Sequence, residues 1–181
     1  MINRVRITSE SDERFKFCWD LYISAFPEEE RRLKEYHAET MQRDIFHFDI
    51  VLDDRMPIGI VAWWDFDEWR FIEHFATSSA VRGKGYGAQI LTQFAQEAQK
   101  PIILEVEHPT EEICRRRIRF YQRLGFILNE YHYQHPSYQQ IEGQIVSLMI
   151  MSHPTPTSEA ELQYFTEKYI PIIHFRNFNT K

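Results

Sequence analysis

A chain of 181 residues that is 43% hydrophobic and 15% aromatic carries enough apolar side chain for a core of ordinary domain size, so intrinsic disorder is not the default reading. Its 21 Lys and Arg against 27 Asp and Glu leave a formal net charge of −6; nucleic acid and membrane are therefore not expected partners, and an anionic ligand would need a local basic spot. The two cysteines, Cys18 and Cys114, offer neither a disulfide framework nor zinc-ligand spacing. No apolar run approaches the ~20 residues of a membrane span, and the first residues lack a signal-peptide core, so the expected compartment is the cytoplasm.

In chain order, residues 4–8 alternate as a short strand. Ser9 to Asp12 offer helix caps before Phe15, Cys18, Trp19, Tyr22 and Phe26, whose spacing is helical until Pro27 stops it. A second, more exposed helix is expected from Glu28, with Leu33, Tyr36, Ala38 and Met41 on one side. Residues 45–52, 58–66 and 69–76 are rich in β-branched and aromatic types and are separated by turn residues, which predicts three strands. Residues 86–100 set Ala88, Leu91, Phe94, Ala95 and Ala98 on one helical face, and Pro101 ends that helix before a strand at 102–107. Thr110 is a candidate N-cap for the next helix, with Glu111 and Glu112 favouring the positive end of its dipole. Gly125 closes it and Phe126 packs back. Strands follow at 126–133 and 144–151, and Ser158 is placed to cap a last helix carrying Leu162, Phe165, Tyr169 and Ile170. The order predicts an α/β chain, a mixed sheet with helices on both faces in one domain. Its boundaries are expected at 1–153, with 154–181 a helical extension packed on the same domain.

Between an expected strand and an expected helix lies Arg82-Gly83-Lys84-Gly85-Tyr86-Gly87. Backbone amides at a helix start converge on anions, and glycines let that backbone approach closely. No Gly-Lys-Ser/Thr completes a P-loop and no G-x-G-x-x-G register is present, so both of those phosphate loops fit poorly. The segment instead resembles the R/Q-x-x-G-x-G/A signature of the GNAT acetyltransferases. A second segment, Arg119-Phe120-Tyr121-Gln122-Arg123-Leu124-Gly125-Phe126, resembles that superfamily's helix with a Tyr followed four residues later by Gly-Phe. The sequence departs from many relatives at Cys114 and Arg117, where they place Asn and Ala.

The resemblance implies a central mixed, splayed β-sheet with helices on both faces, acetyl-CoA as co-substrate and no metal. It implies that Arg82, Gly83, Lys84, Gly85, Tyr86, Gly87 and Ala88 bind the CoA pyrophosphate. The main chain of Phe75, Ala76 and Thr77 would pair with the pantetheine arm as an added strand. The acceptor would be a small-molecule or peptide amine lying against the first two helices and the loop between the last strands, with Phe26, Glu29, Trp63, Trp64, Tyr133 and Tyr138 as candidates. Aromatics at such positions also serve as packing. A homodimer is left open.

Acetyl transfer from a thioester to an amine needs a neutral amine, a polarised carbonyl and a proton for the departing thiolate. Glu73, on the strand that runs beside the thioester in the family, is the first candidate base, and ion pairing is its competing explanation. Glu105 and Glu107 share one face of the next strand and suit a cationic acceptor or a base; pairing with the Arg-rich helix is the competing explanation. His74 reads as a packed strand histidine, and Arg115-Arg116-Arg117 as a solvated helix face. Tyr121 shares a helical stripe with Cys114 and Ile118 and is the candidate proton donor to the CoA sulfur. Neither cysteine has an evident base partner, which favours direct attack in a ternary complex over an acetyl-cysteine. The competing function is a catalytically degenerate acyl-CoA-binding regulator or structural protein of the same fold.

Overall fold

The computed structural model describes residues 1–139, 141 and 143–174. The first half contains β1 (Ile2–Arg6), α1 (Phe15–Ala25), α2 (Lys34–Met41), β2 (Phe46–Asp53), β3 (Met56–Asp65), β4 (Arg70–Thr77) and α3 (Tyr86–Glu97). The second contains β5 (Ile102–Val106), α4 (Glu112–Arg123), β6 (Ile127–Pro136), β7 (Ile145–His153) and α5 (Glu159–Ile173). The strands form a seven-stranded mixed, open sheet in the order β1-β2-β3-β4-β5-β7-β6, which makes the fold α/β. The chain packs as two compact units, residues 1–103 and the residues from 104 on.

In the first unit β1 to β4 form an antiparallel meander. Strand alternation sends neighbouring tryptophans of β3 to opposite sides. Trp64 stacks with Phe66 and meets Phe46, on the side where Phe48 touches Tyr22 of α1 and His37 of α2. Trp63 meets Phe94 of α3 edge to face, so helices cover both faces of this part of the sheet as expected. Phe46, Phe48, Trp64 and Phe94 are fully buried. At about 1.5–3 kcal/mol for each large apolar side chain, these rings are the main stabilising term on both faces.

Two local features differ from the periodicity reading. The helix expected from Glu28 is reduced to one 3₁₀ turn, Glu28–Glu30, and α2 starts only at Lys34. Between them Arg31 is extended, because Arg32 leaves the helical path to pair with Glu73 on β4. In the β3–β4 ladder Ala62 faces His74 while Trp63 faces Ile72, so Glu73 is the extra residue of a β-bulge.

In the second unit β6 and β7 are antiparallel, and their register slips between Asn129 and Tyr133. Helix α4 buries Cys114, Ile118 and Tyr121, the expected stripe. It ends at Gly125, whose φ of +87° favours glycine, with the Phe126 amide donating to the Tyr121 carbonyl. The start of α4 differs from expectation: Glu111, not Thr110, takes the cap position and makes no side-chain cap bond. Ser158 caps α5 in a reciprocal box with Glu161.

Candidate active site

The loop between β4 and α3 has the backbone of an anion site. Gly83 and Gly85 sit at φ +78° and +83°, conformations that strain any side-chain-bearing residue. A Cβ would meet nothing within 4 Å at Gly83 and only the Gln89 amide, 3.9 Å away, at Gly85. The glycines are therefore needed for conformation, not for room. Gly85 is the residue before α3 and offers no side-chain cap, so the first-turn amides lack intrahelical partners. The loop is exposed, and the Arg82 and Lys84 side chains make no bond among the described residues. They supply the local basic spot that a chain of net charge −6 requires. The Tyr86 ring turns the other way, its hydroxyl donating to Asp53 at 2.7 Å, so this residue offers the loop its main chain. These residues fit a pyrophosphate.

Phe75, Ala76 and Thr77 face Val61, Ile60 and Gly59 across the β3–β4 ladder. Gly59 is required there because a Cβ would come 2.6 Å from the Ala76 carbonyl oxygen. The bulge just before this stretch makes Glu73 and His74, adjacent residues, reach one network that simple alternation would deny them. The Glu73 side chain is fully buried and binds the Arg32 guanidinium through both oxygens. The Trp64 indole also donates to it at 3.2 Å, and His74 Nδ1 lies 3.5 Å away. Burial alone would raise the Glu73 pKa; the Arg32 charge and its hydrogen bonds outweigh it and hold the carboxyl well below its usual range. Such a carboxylate is a weak base. His74 Nε2 lies 2.7 Å from the Glu30 carbonyl and its ring meets Phe26 edge to face, so the network fastens the 28–32 segment to β4.

In the second unit Tyr121 is nearly buried, and its hydroxyl has no hydrogen-bond partner among the described residues. Burial, against the Arg117 charge and with that of Glu107, pushes its phenol up to about 12, so it stands as an O–H donor at neutral pH. Phe126 packs edge to face on its ring. Glu107 is paired with Arg117, the competing explanation foreseen for it. Glu105 is different: its side chain is 8% exposed and it has no Arg or Lys partner among the described residues. It accepts from the Tyr133 hydroxyl at 2.5 Å and lies 3.6 Å from His135 Nε2.

The expected site residues thus divide. The loop and the Phe75 to Thr77 stretch lie in the first unit with Glu73, Phe26 and Trp64. Trp64 is fully buried, so its ring packs in the core and supports Glu73 instead of lining a surface. Tyr121, Glu105, Glu107 and Tyr133 lie in the second unit, where Tyr133 is buried beneath Glu105 as its donor. Sequence reading missed Arg32 and His135. Arg32 lies 41 positions from its partner, and no local pattern announces it. His135 had a faint signal, standing two residues after Tyr133 on the same face of a strand.

The sequence profile of the acetyltransferase (GNAT) family matches residues 14–126, more than half of the chain, and the chain belongs to that family. YjbC of Bacillus subtilis (strain 168), whose name assigns it provisionally to the acetyltransferases, is 29% identical over 147 residues, covering 80% of this chain and 74% of that protein. A Bacteroides thetaiotaomicron structure, named with the same reserve as a GNAT-family acetyltransferase, superposes with a TM-score of 0.88 at 39% identity, covering 95% of this chain and 98% of the other. Arabidopsis thaliana Naa50, solved with the bisubstrate analogue CoA-Ac-MVNAL, shares the fold at 17% identity with a TM-score of 0.57, over 83% of this chain and 97% of that one.

Proposed function

We propose that this protein transfers the acetyl group of acetyl-CoA to a primary amine, a small molecule or a peptide end, by direct attack in a ternary complex. The observation that carries the reading is the Gly83–Gly85 loop, with two positive-φ glycines and two unpaired cations at the uncapped start of α3 in a chain of this family. The amides of Gly83 to Ala88 hold the pyrophosphate, Arg82 and Lys84 add charge, and the main chain of Phe75 to Thr77 binds the pantetheine arm. That a protein of the same fold was solved with a CoA-containing bisubstrate analogue supports the choice of ligand.

Tyr121 donates its phenolic proton to the departing sulfur; its hydroxyl is protonated and otherwise unengaged. Glu105 meets the acceptor's ammonium, because it is the nearly buried carboxylate without an Arg or Lys partner. Glu73, ionised and locked to Arg32, fastens the 28–32 segment and leaves proton removal to Glu105. Direct attack is favoured over an acetyl-cysteine because burial pushes the Cys18 thiol up to about 12, leaving it no thiolate at neutral pH. Cys114 is a buried thiol on α4 with no hydrogen-bonded base among the described residues.

Gly85→Asp sets a side chain at φ +83° and a negative charge among the amides. Calorimetry should find acetyl-CoA bound at least about tenfold more weakly, a loss of roughly 1.4 kcal/mol or more. Native affinity in a folded variant would remove the loop from the CoA site.

A further inference from the structure

The Glu105 carboxylate has about four lone-pair positions for hydrogen bonds, and the Tyr133 hydroxyl occupies one of them. Its second oxygen faces His135 Nε2 at 3.6 Å, outside hydrogen-bond range, and that nitrogen is buried without a hydrogen-bond partner among the described residues. The ring's other nitrogen fixes the tautomer. Nδ1 lies 2.7 Å from the Pro136 carbonyl oxygen, which can only accept, so Nδ1 carries a proton. A neutral His135 therefore turns the bare lone pair of Nε2 toward the carboxylate. Among the described residues no Arg or Lys side chain pairs with Glu105, and a bare Nε2 facing the carboxylate can accept a proton from it. Rings of His174 at 4.9 Å and Tyr138 at 5.4 Å hold the imidazole. The register slip in β6 just before Tyr133 sets the strand residues Tyr133 and His135 beneath Glu105.

We propose that His135 is a positioning residue for Glu105: anchored through Nδ1–H on the Pro136 carbonyl, it holds the carboxylate toward the acceptor amine and receives the proton that Glu105 removes. This rests on the reading that Glu105 meets the acceptor. In the step, an N–H bond of the acceptor's ammonium breaks and its proton forms an O–H bond on Glu105. The freed nitrogen lone pair is then available to attack the thioester carbon. Glu105 passes the same proton to His135 Nε2, leaving a carboxylate beside an imidazolium, so that one positive charge has moved from substrate to His135 and no other reactant is needed.

Two measurements test this. In ¹⁵N-resolved spectra of the imidazole rings, His135 should show the Nδ1–H tautomer, and its Nε2 resonance should move in Glu105→Gln; an Nε2–H tautomer indifferent to that change overturns the proposal. The second measurement is thiol release from acetyl-CoA with a panel of amino acids, polyamines, aminoglycosides and peptides. With the best amine of the panel, His135→Ala should lower kcat about tenfold or more while acetyl-CoA affinity stays native. Combined with Glu105→Gln it should add little beyond the single carboxyl change, because the two act as one unit. His135→Gln, which keeps a hydrogen-bonding side chain there but cannot carry the proton on, keeps the fold and separates a catalytic loss from a packing loss: it should stay slow. Native turnover in His135→Gln, or losses that simply add, overturns the proposal and leaves the transferase reading intact. No amine-dependent release by the native protein overturns both.

Discussion

Glu73 and Glu105 are both buried strand carboxylates, and they differ in their partners. Glu73 has Arg32, Trp64 and His74 around it, which keeps it charged and chemically quiet, whereas Glu105 has a phenol and an imidazole. Residue identity did not reveal this difference, because Arg32, Tyr133 and His135 come from distant segments. His37 is a second buried group with a measurable consequence. Both of its ring nitrogens lack hydrogen-bond partners among the described residues, and it lies among Trp19, Tyr22, Phe46 and Phe48. Burial, helped by the Arg32 charge, pushes it down to about 3 from an ordinary 6.5. The sign follows from linkage: below pH 6.5 the unfolded chain binds a proton that the folded one refuses, so stability is lost as pH falls from 6.5 toward 3. His37→Phe should flatten the decline measured by urea unfolding between pH 6 and pH 4 by up to about 1.4 kcal/mol per pH unit. An unchanged slope would mean that His37 is protonated in the folded protein. Tyr121, by contrast, was legible in advance, since its stripe with Cys114 and Ile118 follows from helical spacing alone.

At the scale of elements, periodicity located β2, β3, β4, α3 and α4 because each buries one face and repeats at 2 or 3.6 residues. It missed the β4 bulge at Glu73 and the β6 slip before Tyr133, since an inserted residue changes pairing without leaving a compositional mark. Both irregularities fall beside candidate site residues. It also overextended the helix after Pro27, where the Arg32 ion pair overrides helix propensity. The tight ladder between β3 and β4 offers a test of how rigidly β4 is held. Gly59→Ala would set its Cβ 2.6 Å from the backbone oxygen of Ala76, which cannot swing aside as a flexible side chain would. The variant should lose about 1–3 kcal/mol in urea unfolding, although alanine suits strands better than glycine does. Native stability would show that β3 and β4 can separate there without loss.

For the molecule as a whole, the formal charge of −6 offers no general attraction for anions, and Arg82 and Lys84 at the glycine loop, unpaired among the described residues, are a local exception. No helix among the described residues is long and apolar enough to cross a membrane. Two motifs in the right order carried the family assignment from the sequence, and the profile match over residues 14–126 spans both. Nothing local in the sequence marked Glu105 as the neighbour of Tyr133 and His135 on another strand. The most direct test of the account is thiol release from acetyl-CoA with the amine panel, run side by side on the native protein and Tyr121→Phe. Release should depend on the amine and drop roughly 10²-fold in Tyr121→Phe at nearly constant acetyl-CoA affinity. A native protein that binds acetyl-CoA yet releases no thiol with any amine would contradict it and leave an acyl-CoA-binding regulator in its place.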